Sequence, residues 1–114
     1  VTEYVQQQSQ PEQNQFAFAY HITIENQGDV AAKLLGRHWI IIDANQVRKE
    51  IRGMGVIGEQ PVIEAGASYQ YTGGVVLKTP IGTMEGSYQL LNDKGDPFDA
   101  AIAPFLLSTP NAVH

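Results

Sequence analysis

Two-residue alternation is the dominant pattern of this chain. Phe16, Phe18, Tyr20, Ile22 and Ile24 interleave with Ala17, Ala19, His21, Thr23 and Glu25. A period of two held over this stretch describes a strand with one face buried and the other wet. It puts His21 on the face opposite the aromatic rings. Further along, Trp39-Ile40-Ile41-Ile42 joins the one tryptophan to three isoleucines. Branching at Cβ restricts χ1 in a helix, so this run also favours strand. Trp39 and Ile41 share the core side, and His38 points the other way.

Turn signals separate these runs: Asn26-Gln27-Gly28-Asp29, Asp43-Ala44-Asn45-Gln46, Ala65-Gly66, Thr79-Pro80 with Gly82, and Asn92-Asp93-Lys94-Gly95. Between them the pattern predicts strands at 1–8 (peripheral), 16–25, 30–43 with an interruption at Gly36, 47–56, 68–77, 83–91 and 98–107. Residues 10–15 form a polar loop around Pro11. Met84, Gly86, Tyr88 and Leu90 fall on one face, as do Tyr69 and Tyr71. No helical periodicity competes. About eight short strands with a turn every ten residues or so predict an all-β fold. The expected architecture is an immunoglobulin-like or fibronectin type III-like sandwich of two antiparallel sheets, with a closed barrel as the alternative.

Composition narrows the function. With 114 residues, 43% hydrophobic and 17% charged, the chain is expected to be one globular domain spanning 1–114. Cysteine is absent. That removes a disulfide framework, thiolate-bound zinc, iron–sulfur clusters and a cysteine nucleophile. No apolar run approaches the roughly 18 residues of a membrane span and no signal peptide is visible, so the expectation is a cytoplasmic protein without a membrane partner. A net charge of −5 argues against nucleic acid, whose phosphates need a basic face. The charge is unevenly spread. Lys33, Arg37, Arg48, Lys49 and Arg52 stand against only Asp43 and Glu50 in one window, which nets +3 while the rest of the chain nets −8. Such a patch suits a small anion or an acidic partner better than a duplex.

Candidate chemistry is sparse. Gly53-Met54-Gly55-Val56-Ile57-Gly58 spells the G-x-G-x-x-G string. In a dinucleotide fold it follows a strand and opens a helix whose first amides hold pyrophosphate. Here Pro61 follows at once and no helix does, which excludes that context. Two readings stay open: a bulge or close backbone approach, or exposed amides beside Arg52 forming an anion-binding concavity. His21, His38 and His114 show no paired spacing for a metal. No Ser or Thr sits in a nucleophile motif. Asp93, Asp96 and Asp99 flank a turn without the calcium-loop pattern and are expected to keep an edge soluble. No catalytic residue, metal ligand or cofactor is therefore predicted.

Several strings, in this order, resemble the ApaG family (DUF525). They are Leu35-Gly36-Arg37-His38-Trp39-Ile40-Ile41, Asp43-Ala44-Asn45, Arg52 through Pro61, Tyr71-Thr72-Gly73-Gly74, Leu77 through Tyr88, and Phe98 through Phe105. The resemblance runs from about Phe16 to His114. Two departures are visible. Gln46 stands where the family usually has Gly, and Ala103-Pro104-Phe105 shifts a proline by one position. The resemblance implies a fibronectin type III-like sandwich and brings no established enzyme activity. It implies a link to diadenosine tetraphosphate hydrolysis by gene neighbourhood, and in some bacteria to cobalt and magnesium tolerance. Eukaryotic relatives join a similar domain to an F-box or to a polymerase-delta-interacting protein, a usage that looks like protein interaction. The glycine string has prompted proposals of pyrophosphate or nucleotide binding, which fall here on Gly53, Gly55 and Gly58.

Two functions follow as expectations. The first is a non-enzymatic binding module that recognises a protein partner through an exposed sheet face or edge. It predicts an exposed apolar patch or an uncovered edge strand. The alternative is a small-anion sensor in which pyrophosphate or a nucleotide polyphosphate sits on Gly53, Gly55 and Gly58, neutralised by Arg52 with Arg37 or Arg48. It predicts outward-pointing amides near at least two guanidinium groups.

Overall fold

The computed structural model describes residues 1–56 and 58–110; Ile57, within the glycine string, and His114 lie outside the described residues. The strands are β1 (Thr2–Tyr4), β2 (Phe16–Glu25), β3 (Ala32–Asp43), β4 (Arg48–Met54), β5 (Val62–Ile63), β6 (Ser68–Leu77), β7 (Ile81–Asn92) and β8 (Pro97–Ser108). β1, β2 and β6 form one antiparallel sheet in that order. The other runs β4-β3-β7-β8, with β5 also pairing with β3. Two sheets packed face to face confirm the sandwich.

Each sheet turns one face inward, as the alternation requires. Phe18 and Tyr20 on β2, Trp39 and Ile41 on β3, Met84 and Tyr88 on β7 and Leu107 on β8 are all buried. Trp39 lies at the centre, with Phe105 and Tyr88 edge-on to it and Tyr20 tilted against it. Its indole Nε1 has no hydrogen-bond acceptor among the described residues. Phe18, Trp39 and Leu107 belong to one apolar cluster, and Leu34, Val56, Tyr71, Tyr88 and Leu90 to a second towards the other end.

The structure departs from the pattern in four places. The predicted strand over 1–8 stops at Tyr4, and Gln6–Gln8 and Pro11–Gln13 are single 3₁₀ turns. The three consecutive glutamines offer no apolar face, and the Ser9 hydroxyl takes over by accepting from the Ala17 amide. β3 does not break at Gly36; it bulges between Leu34 and Gly36 and continues. Gly82 makes no bend. It lies buried inside β7, where a Cβ would stand 2.7 Å from the Ile42 carbonyl oxygen. Finally, β5 was not foreshadowed, since two residues are too few to show a period.

The turn between β3 and β4 shows what the missing glycine costs. The Asp43 carboxylate accepts from the amides of Asn45 and Val47 at 2.9 and 3.0 Å, which holds the turn. Gln46 then adopts φ 64, a left-handed conformation in which its Cβ crowds the backbone. Gln46→Gly should therefore stabilise the protein by about 0.5–1 kcal/mol in urea unfolding, net of the entropy glycine adds to the unfolded chain. A loss of stability would show that the side chain contributes more than its strain takes away.

Candidate functional site

The six residues of the anion reading do not converge. Gly53 lies within β4, directly opposite Arg37 on β3. A Cβ there would stand 2.8 Å from the Arg37 Nη1, so the glycine makes room for the guanidinium. That guanidinium is committed elsewhere: Nη1 donates to the carbonyls of Met54 and Gly55 at 3.3 and 2.9 Å. The Gly55 amide donates to the Leu35 carbonyl at 2.7 Å. The Val56 and Glu59 amides donate to each other's carbonyls at 2.8 and 3.0 Å, and Gln60 Nε2 reaches the Leu35 carbonyl as well. Gly55, at φ +58, has the Glu59 backbone where a Cβ would be.

The string is thus a turn stitched onto β3 and anchored by Val56, which is fully buried. Arg48 stands at the far end of β4, opposite Ile42, and donates to Glu50 at 3.3 Å. Of the predicted site, Arg52 and Gly58 alone face solvent near one another in sequence without an acceptor or carboxylate described for them. The outward-amide requirement is not met at Gly55 or Val56. Which amides find carbonyls depends on the β3 register, and no local motif encodes that.

The open feature is elsewhere. A two-sheet sandwich has two seams where the sheet edges meet. On one side β1 packs against β8, and the Thr2 hydroxyl donates to the Leu106 carbonyl at 3.2 Å. On the other side β4 and β6 end their sheets without a described strand partner. A cleft of about 370 Å³ lies between them, lined by Ile41, Val47, Lys49, Val76, Leu77 and Lys78 among others. Val47 and Val76 are 60% and 57% exposed at its rim. Sequence reasoning included Lys49 in the basic window but missed Lys78, Val47 and Val76. Their shared signal is placement: the start of β4 and the end of β6 meet across the seam, and only the sheet topology reveals it.

Charge at this seam is organised. Glu50 accepts from Arg48 at 3.3 Å and lies 3.1 Å from His38 Nε2. The bonds from Arg48 and then His38 hold its carboxyl below the usual range. Asp43 is buried and occupied by its own turn. Both carboxylates of the basic window are therefore engaged. Among the described residues, Lys49, Arg52 and Lys78 have no carboxylate within 4.0 Å.

Three- and five-stranded antiparallel sheets around a Trp-centred core, with one seam open, define a fibronectin type III-like β-sandwich scaffold. A family model for the ApaG domain (DUF525) matches residues 6–92, and the chain belongs to that family. It is 58% identical over 113 residues to Protein ApaG of Pseudomonas aeruginosa, covering 99% of this chain and 90% of that one. It is 54% identical over 114 residues to Protein ApaG of Pseudomonas fluorescens, covering 100% and 90%. The crystal structure of the putative ApaA protein from Bordetella pertussis superposes with a TM-score of 0.94 at 45% identity, over 98% of this chain and 91% of that one. A protein from Archaeoglobus fulgidus shares the fold alone, at 10% identity and a TM-score of 0.59.

Proposed function

We propose that this chain is a non-enzymatic binding module that receives a protein segment at the open seam between β4 and β6. One observation carries the reading: one seam is bridged by β1 and β8, while the other offers two edges without a strand partner among the described residues, beside exposed valines. An uncovered edge is a template for strand addition, in which main-chain hydrogen bonds supply affinity and alternate side chains supply specificity. The glycine turn favours the same reading, because Gly53, Gly55 and Arg37 are spent on building the end of β4. Among the described residues, no helix is long and apolar enough to cross a membrane. A cytoplasmic setting belongs to the same proposal.

Photo-cross-linking in living cells tests this. A benzophenone side chain at Val76, on the seam, should yield a discrete protein adduct. The same group at Thr23, on the outer face of the small sheet, should not. Adducts at neither position, or equally at both, would sink the reading.

A further inference from the structure

We infer that the segment received at this seam is an extended acidic peptide aligned along β4. The inference rests on the partner-binding reading and names the chemistry of the partner.

The first step is which backbone groups are free. The Asp43 amide donates to the Val47 carbonyl, and the Gly55 amide to the Leu35 carbonyl. Both pairs fit the unbroken β3–β4 register, in which Trp39 faces Ile51 and Arg37 faces Gly53. In an antiparallel ladder, bonded and non-bonded pairs alternate. The odd-numbered residues of β4 therefore point their amides and carbonyls at β3. The amides and carbonyls of Arg48, Glu50 and Arg52 point away from it. Arg37 ends this free stretch by occupying the Met54 carbonyl. The open edge is long enough for one short added strand.

The second step is charge. The protein carries −5 overall, yet Lys49, Arg52 and Lys78 line or flank this edge with no described ion pair, while the nearby carboxylates are engaged. An incoming strand with glutamates or aspartates on both faces would meet Arg52 on the outer side and Lys49 and Lys78 on the seam side. One aliphatic side chain between them would enter the cleft over Ile41, Val47, Val76 and Leu77. Edge lysines also serve in many sheets to block edge-to-edge aggregation. That role and peptide recognition differ in what they predict.

The test uses the intact protein, labelled with ¹⁵N. It is titrated with a capped heptapeptide of sequence Ser-Glu-Glu-Leu-Glu-Glu-Ser, whose alternation puts Glu, Leu and Glu on one face and two Glu on the other, and with two versions carrying Gln or Lys in place of every Glu. The Glu peptide should give saturable amide shifts concentrated at 48–52 and 76–78, weakened by about tenfold in the Lys49→Glu/Lys78→Glu variant and reduced by salt. The Gln peptide should bind at least about tenfold more weakly and the Lys peptide not at all. Both lysines are exposed, so the variant should keep the dispersion of the native spectrum.

Equal binding of the Glu and Gln peptides would overturn the inference. So would shifts elsewhere on the surface, or flat spectra accompanied by aggregation of the lysine variant, the mark of a purely protective edge. Cross-linking at Val76 together with any of these results would leave the partner-binding reading standing and remove only the acidic specificity.

Discussion

Gly86→Ala should cost about 3 kcal/mol or more in urea unfolding, at the upper end of what an added methyl group does to a packed interior. Gly86 sits on β7, opposite Trp39 on β3 and Ile102 on β8. A Cβ built there would run into the His38 carbonyl oxygen and stand 3.2 Å from the Trp39 Cα. These are backbone atoms of an adjacent central strand, so no rotamer change relieves the clash. β3 and β7 would have to separate, and their spacing carries Trp39 into the core. Against a total stability of about 5–15 kcal/mol for a domain, such a loss leaves a protein that unfolds on modest heating. Gly74→Ala is the control. Its Cβ would meet the Phe18 carbonyl oxygen at 3.7 Å, an ordinary contact. That substitution should change stability by less than about 1 kcal/mol. Similar losses at both positions would mean that glycine in these strands matters through backbone freedom rather than close approach.

Gly86 also shows where the sequence stops being informative. Alternation placed it on one face with Met84, Tyr88 and Leu90, and the structure turns that face inward. What alternation could not show is that another backbone passes too close for a Cβ, because this depends on β3, more than forty residues earlier. β2 was legible over most of its length: its five apolar positions face the core and His21 is exposed beside Thr72, while Ala17, on the face read as wet, is buried. Trp39 faced inward and His38 outward as read. These features are local, set by the two-residue period alone.

The glycine string was legible as letters and illegible as chemistry. Its anion reading turned on which amides lack carbonyl partners, and the β3 register decides that by presenting the Leu35 carbonyl to Gly55. Arg48 and Arg52 look adjacent in the chain, yet Arg48 is four residues back along an extended strand, about 13 Å away at the usual rise. The open seam was unreadable for the same kind of reason. An edge is a property of strand order, and the order β4-β3-β7-β8 follows from long-range pairing.

A buried pair of tyrosines couples the two sheets and gives the second large effect. Tyr71 on β6 and Tyr88 on β7 are both buried, with their hydroxyls hydrogen-bonded to each other across the sandwich. Tyr71→Phe or Tyr88→Phe removes one partner and strands the other hydroxyl in the core, at about 1–3 kcal/mol. The double variant removes both and leaves nothing unsatisfied. It should therefore cost less than the sum of the single changes, with a coupling of at least about 1 kcal/mol in a double-mutant cycle.

The pair also sets an alkaline limit. Burial, followed by the bond to Tyr88, holds the Tyr71 phenol well above its usual range. Burial pushes Tyr88 up to about 12, opposed first by the hydrogen bond with Tyr71 and then, more weakly, by the Arg37 guanidinium, while Tyr20 acts in the same direction as burial. Both groups are favoured as neutral phenols in the folded state, while an unfolded tyrosine ionises near 10. Their contribution is therefore fully present below about pH 10 and falls as pH rises through 10 towards 12 and beyond. Unfolding free energies measured from pH 8 to 11.5 should decline steeply above 10 for the native protein. The Tyr71→Phe/Tyr88→Phe protein should decline less, because the phenols that must ionise on unfolding are gone. Parallel curves for the two proteins would place the alkaline sensitivity on other groups and deny the pair this role.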